Sequence, residues 1–244
     1  TVGSVVASHI EFKVLNKAEY ADIDWEGATV IPTVGLLLSS DPAEFPEGAE
    51  TELWEYVPLG RFNIDDVVRL RNTIDIKAID NMIELDKPYS LSQLSYPATL
   101  YQIYVDICNV ADITVGTASF PNSDYLVAAR PDDSLTLRDV LSYVAALAGR
   151  FARCSRTGAL ELAWYEPSGL TLGPSNRFEF RPKDYTVQIK GVMATVDDVT
   201  YLSGTDDYAI DLTGNPLLQS DYEAVLSAIY TAVKEVVFTP YASR

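Results

Sequence analysis

The residue types best suited to acid–base chemistry occur in this sequence as four pairs of adjacent aspartates. The pairs are Asp65-Asp66, Asp132-Asp133, Asp197-Asp198 and Asp206-Asp207. A glycosidase needs two carboxyl groups that face each other across a cleft, and adjacent residues rarely provide that geometry. Asp206-Asp207 also offers oxygen ligands to calcium, but without the ordered spacing of a dedicated calcium loop. We therefore interpret the pairs as solvated turns and predict no catalytic role for them.

The sequence also lacks the other common catalytic constellations. His9 is the only histidine and falls on the polar side of an alternating segment, so no serine has an evident histidine base. Cys108 and Cys154 lie far apart, without the clustered spacing of a zinc site or a disulfide framework. No glycine-rich phosphate loop and no nucleophile elbow occurs. We predict no catalytic, metal-binding or cofactor-binding residue, no cofactor, and a protein that is not an enzyme.

The composition of the chain limits the classes of partner that it can bind. The chain has 244 residues, a formal net charge of −17 and 48% hydrophobic residues. Binding to nucleic acid depends on Lys and Arg that neutralise phosphates, so this acidic balance disfavours such a surface. The charge fits either a solvated surface or carboxylates that line a conduit for passing nucleic acid. No apolar run approaches the roughly 20 residues that span a bilayer, and no signal segment opens the chain. We therefore expect a soluble protein without stable membrane insertion.

Aromatic side chains are the remaining candidates for a binding surface, because the chain has 15 tyrosines and 3 tryptophans. Six of them fall in the parts of the chain with a β pattern: Tyr20, Trp25, Trp54, Tyr56, Tyr201 and Tyr208. Packing in a core or across strands is the favoured interpretation. A protein interface or a carbohydrate site stays open as an alternative.

The elements that position these residues change in type along the chain. Alternating polar and apolar residues predict strands up to about Leu85, and several short strands at this spacing suggest a barrel or a strongly curved sheet. The predicted strands cover residues 8–14, 50–60, 67–70 and 73–78, and residues 40–48 read as an exposed acidic loop.

After Tyr96 the apolar residues recur at helical spacing. A first helix should begin at Thr99, where Gln102 completes a capping box, and a second at Thr136, where Asp139 occupies the same position. Gly149 is suited to the left-handed residue that ends a helix. A hairpin is predicted around residues 156–159.

The last part of the sequence returns to strand patterns. A linker is predicted over residues 168–175, and strands over 185–189, 192–201 and 208–212. A helix opening at Ser220 with Glu223 follows, and residues 236–241 read as the start of a strand. Both ends look abrupt, so we expect a piece of a longer protein. The predicted domains are a first β-barrel-like domain (1–85), a middle α+β module (86–170) and a second β-barrel-like domain (171–244), which looks truncated.

The segment from Tyr96 to Trp164 resembles the central segment of phage and prophage tail-tip hub proteins, in contractile and in long non-contractile tails. The resemblance rests on the joint order of short words over about 70 residues. These are residues 96–100, 106–108, 120–122 with Tyr125, 130–131, 136–138, 148–149 and 151–153, followed by the turn at Gly158. Fainter likeness covers residues 6–8 and 238–241.

The resemblance implies an α+β fold in which the middle module joins two β-barrel-like domains. It further implies a homotrimer that forms a pseudo-sixfold ring between the tail tube, or distal tail protein, and the tip spike or fibre. DNA would then pass through the channel only as cargo, and the protein would belong to the virion tail after assembly in the bacterial cytoplasm. A tail-associated cell-wall hydrolase or endopeptidase, a carbohydrate-binding module and the hub of a related injection system remain alternatives.

Overall fold

The computed structural model describes residues 1–20, 22–25, 27–39, 53–165, 191–203, 207–219 and 221–237. The fold is a mixed α+β architecture in which strands outnumber helices, as the sequence predicted. The predicted loop 40–48, linker 168–175 and strand 185–189 lie outside the described residues, and so do Asp206, Ser220 and residues 238–241.

The described residues up to Asp80 contain six strands. They are β1 (His9–Leu15), β2 (Thr29–Val30), β3 (Thr33–Ser39), β4 (Leu53–Pro58), β5 (Phe62–Arg69) and β6 (Thr73–Asp80). Four of them form one antiparallel sheet in the order β1-β6-β5-β2. The predicted strands 8–14 and 73–78 are confirmed as β1 and β6, which pair along their whole length because each alternates in the same register.

The two sides of this sheet differ in chemistry. One side buries a small apolar core from β5 and β6, formed by Phe62, Ile64, Ile74, Ile76 and Ala78. On the exposed side, ion pairs join β1 to β6 across the ladder, between Lys13 and Asp75 at 2.6 Å and between Lys77 and Glu11 at 3.4 Å. Such a charged surface on an edge strand discourages pairing with other chains.

The remaining two strands, β3 and β4, form a separate two-stranded antiparallel ribbon. Short connections join the ribbon to the sheet, because β3 follows β2 after two residues and β4 precedes β5 by three. We call residues 33–39 and 53–58 the β3–β4 ribbon.

Two 3₁₀ turns connect the sheet to the next part of the chain, over Asn81–Asp86 and Tyr89–Leu91. Asp80 caps the first turn: its carboxylate accepts hydrogen bonds from the Ser8 and Met82 backbone N–H groups at 2.9 and 3.0 Å. Burial raises the pKa of the Asp80 carboxyl. This side chain therefore joins the start of β1, the end of β6 and the connection between them in one buried contact.

The middle of the chain is built around two helices. Its elements are β7 (Ala98–Thr99), α1 (Leu100–Ala111), β8 (Leu126–Val127), α2 (Leu137–Leu147), β9 (Phe151–Cys154) and β10 (Leu160–Ala163). Both predicted capping boxes are confirmed, since the Thr99 and Thr136 hydroxyls accept from the Gln102 and Asp139 N–H groups at 3.2 and 3.1 Å. Gly149 follows α2 with a φ of 62°, the predicted left-handed residue.

The β9–β10 hairpin also has neighbours on both sides. Val5 forms a parallel bridge to Ala152, and Val115 forms one to Leu160. The first residues of the chain therefore lie against the middle module. They also reach the last part of the chain, because the Val2 N–H donates to the Tyr208 hydroxyl at 3.3 Å.

The last described part contains three strands and a helix. They are β11 (Val192–Val196), β12 (Val199–Ser203), β13 (Tyr208–Asp211) and α3 (Tyr222–Val237), and the sheet order is β12-β11-β13. The single strand predicted over 192–201 was wrong, because Asp197 adopts a φ of 47° and turns the chain into a hairpin. The strand start predicted at Val236 was also wrong, since α3 continues through Val237. The helical pattern before these valines outweighs their strand preference.

Most of the apolar core lies in one large cluster. It contains residues of the middle module together with residues of β11, β13 and α3, whereas the first sheet has its own small cluster. The division into domains at residues 85 and 170 stays a prediction. No helix in the described ranges is long and apolar enough to cross a lipid bilayer.

Candidate functional site

The three aspartate pairs that the structure describes in full lie in exposed or structural positions. Asp65 sits at a bulge of β5, and the Asp197-Asp198 pair forms the exposed turn between β11 and β12. Asp132 accepts a hydrogen bond from the Ser134 N–H at 2.8 Å, and this bond lowers the pKa of its carboxyl. Asp133 pairs with Arg130 at 2.9 Å.

The potential metal ligands are not gathered either. Within the described residues no group of three or more histidine, cysteine or acidic side chains could hold a metal ion. His9 is exposed on β1, as the sequence predicted.

The two cysteines are free thiols inside the protein. Cys108 lies on the buried side of α1 and Cys154 is half-buried in β9. Burial raises the pKa of each thiol to about 12. Because the thiolate is the reactive form, neither side chain is a ready nucleophile at neutral pH.

Tyr104 has a buried hydroxyl with a structural role. It donates to the Leu160 carbonyl and accepts from the Gly116 and Thr117 N–H groups at 3.3 and 3.2 Å. Burial raises the pKa of this hydroxyl to about 12, so it remains a donor. The ring packs edge-on against Phe120, with 5.7 Å between the ring centroids. This tyrosine therefore fastens α1 to the loop after it and to β10.

A second polar cluster surrounds the start of the middle module. The Tyr89 and Tyr96 hydroxyls lie 2.7 Å apart, and burial raises the pKa of both. The Arg130 guanidinium lies 4.8 Å from the centre of the Tyr89 ring and donates to the Tyr89 and Ser92 carbonyls at 3.0 and 3.1 Å. Every group has a partner within the chain, so we interpret the cluster as a clamp on the loop.

The six aromatic residues for which packing was the favoured interpretation fall into two groups in the structure. The packing interpretation is confirmed for Tyr20 and Trp25, which meet edge-on at 6.0 Å beside the small core, and for Tyr201 and Tyr208 beside the large one. It was wrong in part for the aromatic residues of β4. Trp54 and Tyr56 stack on each other at 6.3 Å, but 41% and 63% of their surfaces remain exposed.

The β3–β4 ribbon is the strongest candidate for a functional surface. Its register places Val34 opposite Val57 and Leu36 opposite Glu55, so these side chains share one side, which we call the aliphatic face. Leu36 is 60% exposed, and the two valines are exposed as well. A row of large aliphatic side chains left in solvent contrasts with the ion pairs that cover β1 and β6.

The opposite side of the ribbon, which we call the aromatic face, carries Leu37, Trp54 and Tyr56. The rings of Trp54 and Tyr56 lie over Gly35, where an added Cβ would approach Tyr56 Cε1 to 2.9 Å and Trp54 Cε3 to 3.2 Å. The absence of a side chain at Gly35 therefore leaves room for both rings over the partner strand. Both faces of the ribbon present large apolar groups to solvent.

Sequence reasoning missed this surface because a run of apolar residues normally indicates a buried strand. Residues 34–38 form an apolar run of strand length, and packing was the favoured interpretation for Trp54 and Tyr56. One signal was available: an apolar strand on each side of an acidic loop predicts a hairpin with two apolar faces.

Two solved structures are similar to this chain over most of its length. One is the 43 kDa tail protein of prophage MuSo2 from Shewanella oneidensis, with 15% identity over 90% of this chain and 72% of that one, at a TM-score of 0.45. The other is the tail protein from Neisseria meningitidis MC58, with 10% identity over 90% of this chain and 69% of that one, at a TM-score of 0.46. No family model and no curated protein matches the sequence. At these values the likeness carries no residue role from those proteins to this chain.

Proposed function

We propose that this chain is a structural protein of a phage or prophage tail, and that it acts there as the hub of the tail tip. In this proposal three copies form a pseudo-sixfold ring between the tail tube and the spike or fibre. Each copy contributes two barrel-like regions, one around the β1-β6-β5-β2 sheet and one around β11 to β13. The ring would surround the path of DNA and would act through binding alone.

The observation that carries the proposal is the ordered set of residues from Tyr96 to Trp164 that resembles tail-tip hubs. In the structure these residues have consistent structural tasks. Thr99 and Thr136 begin helices, Arg130 holds the preceding loop, and the Asn122 amide donates to the Leu147 and Val225 carbonyls at 2.8 and 3.3 Å. Because the residues of this segment cap helices, form turns and pack in the core, they support a structural role for the protein.

The exposed ribbon gives separate support for a role in assembly. Contiguous apolar surface is uncommon on monomeric proteins and is typical of interfaces with other proteins. A ring that adapts one symmetry to another needs extended contacts between subunits and with its neighbours in the tail. A ribbon with two apolar faces suits that task.

The location of the chain in a particle tests the proposal. Antibodies raised against the purified chain would be applied, with gold labels, to tails released from the bacterium that carries the gene. We expect label at one end of the tail, and tails that carry no label would contradict the proposal. A cell-wall zymogram with the purified chain is the companion test, since clearing by the chain alone would favour a hydrolase.

A further inference from the structure

Residues 1–5, which we call the strap, lie across the middle module and bind it through backbone groups. The Gly3 N–H donates to the Arg150 carbonyl at 2.7 Å. The Ser4 carbonyl accepts from the Ala152 N–H at 2.8 Å. The strap therefore occupies the outer edge of β9.

Gly3 is the residue that fits the strap to α2. Its φ of 77° lies in the left-handed region, and an added Cβ would approach the Ala146 Cβ to 3.2 Å. The Ser142 hydroxyl on α2 donates to the Gly3 carbonyl at 2.8 Å. A side chain at Gly3 would therefore weaken the binding of the strap in two ways, through backbone strain and through crowding against α2.

The first sheet meets the middle module through a polar contact. Among the described residues, no member of the small apolar core belongs to the large one. The Asn81 amide lies at the junction, where it accepts from the Asn63 amide at 3.0 Å and donates to the Gly158 carbonyl at 2.9 Å. Parts of a chain that meet through a small polar interface move relative to each other unless a further contact restrains them. The strap is such a contact, because only three residues separate Val5 from the start of β1 at His9.

The strap is bound weakly enough to open while the rest of the chain stays folded. Its contacts with α2 and β9 include single hydrogen bonds, and each of these brings a net gain about as large as the entropy cost of ordering one residue. Val2 and Val5 add apolar contacts, but both remain only partly buried. A segment with so few buried apolar contacts opens at a lower free energy than the core.

We propose that the strap is a detachable lock that fixes the orientation of the first sheet relative to the middle module. With the strap bound, the first sheet is attached at two places, the strap and the contact at Asn81. With the strap released, the connection around Asn81 acts as a hinge, and the outer edge of β9 becomes accessible to other strands. This inference does not depend on the proposed function, because it concerns contacts within one copy of the chain.

Two substitutions weaken the strap from opposite sides. Gly3→Ala strains the strap itself. Ser142→Ala removes the hydroxyl that binds the strap, and it places a residue of higher helix propensity on α2. The matched control is Gly27→Ala, because Gly27 also has a left-handed φ, of 71°, but no atom lies within 4 Å of its added Cβ. Circular dichroism and urea unfolding of the full chain check that every variant is folded.

Hydrogen exchange of the Ala152 N–H measures how often the strap opens. The lost hydrogen bond in Ser142→Ala should speed this exchange about fivefold, and the strained backbone in Gly3→Ala should speed it about tenfold. The Gly27→Ala control should match the wild type. The amides of β6 should exchange at the wild-type rate in both strap variants, because the first sheet itself stays folded.

Electron spin resonance measures whether the first sheet moves when the strap opens. Spin labels are attached through Arg71→Cys, in the turn after β5, and Asn109→Cys, on α1, since both residues are exposed. We expect a narrow distribution of label distances in the wild-type strap and a broader one in both strap variants, with the Gly27→Ala control unchanged.

Three results would overturn the inference. Equal exchange of the Ala152 N–H in the wild type and both strap variants would show that the strap opens only when the whole chain unfolds. Faster exchange with unchanged label distances would show that the contact at Asn81 holds the sheet by itself. A wild-type distribution as broad as that of the variants would show that the bound strap does not restrain the sheet. Gold label on the tail would uphold the proposed function in each case.

Discussion

The Tyr104 hydroxyl offers the sharpest test of how the middle module is held together. In Tyr104→Phe the ring keeps its edge-on contact with Phe120, but the Thr117 N–H loses its acceptor and the Leu160 carbonyl loses a donor. The Leu160 carbonyl retains the Gly116 N–H at 2.7 Å. The loss of one hydrogen bond costs about 1 kcal/mol, and an unpaired N–H costs about 1–3 kcal/mol when buried. The Thr117 N–H is only partly buried, so its cost lies in the lower part of that range. We therefore expect the free energy of unfolding to fall by about 2–3 kcal/mol.

Urea unfolding followed by far-ultraviolet circular dichroism measures this change. For a chain of this size, the melting temperature should fall by about 2–4 °C for each kcal/mol lost. Tyr101→Phe is the matched control, because Tyr101 lies on the same helix, only partly buried, 6.4 Å from the Tyr104 ring. A Tyr104→Phe variant within about 0.5 kcal/mol of the wild type would refute the reasoning, since water would then satisfy the backbone groups.

Three further predictions concern the same module. Thr136→Ala removes the cap of α2 and should cost about 1 kcal/mol in urea unfolding, whereas Thr136→Ser should keep most of the stability. Gly149→Ala should lower the free energy of unfolding by about 1–2 kcal/mol because Gly149 has a left-handed φ. The loss should exceed that of Gly27→Ala, since a Cβ at Gly149 would lie 3.3 Å from an α3 side chain, whereas no atom lies within 4 Å of a Cβ at Gly27. Burial raises the pKa of the Cys108 and Cys154 thiols from 9.0 to about 12. Their contribution to the free energy of unfolding should therefore be complete below pH 9 and should be lost as the pH rises towards 12. Unfolding measurements at alkaline pH test this. A Cys108→Ala variant with the same alkaline profile as the wild type would contradict this assignment for Cys108.

The features that the sequence predicted correctly depend on neighbours a few residues apart. The caps at Thr99 and Thr136, the stop at Gly149 and the alternating strand β1 each follow from local backbone chemistry. Such features can be read from a short window because the residues that satisfy each other lie within one turn or one strand.

The features that the sequence did not predict depend on distant partners. The bridge between Val5 and Ala152 joins residues that no local pattern connects. The exposure of Leu36 and Tyr56 follows from how the ribbon leaves the sheet, while their residue types are equally suited to a core. The turn at Asp197 was hidden because valines on both sides read as one strand.

The bridge between Val5 and Ala152 has a consequence for synthesis on the ribosome. Residues 1–15 emerge before their strand partners, since β1 has no partner strand until β6 has been translated, and Val5 lacks its bridge partner until β9 follows. During that interval an unpaired strand is exposed to other nascent chains. Glu11 and Lys13 interrupt the apolar residues of β1 and so act as gatekeepers against premature association. The charged residues of β1 that form ion pairs in the finished sheet thus also protect this strand before β6 is available to pair with it.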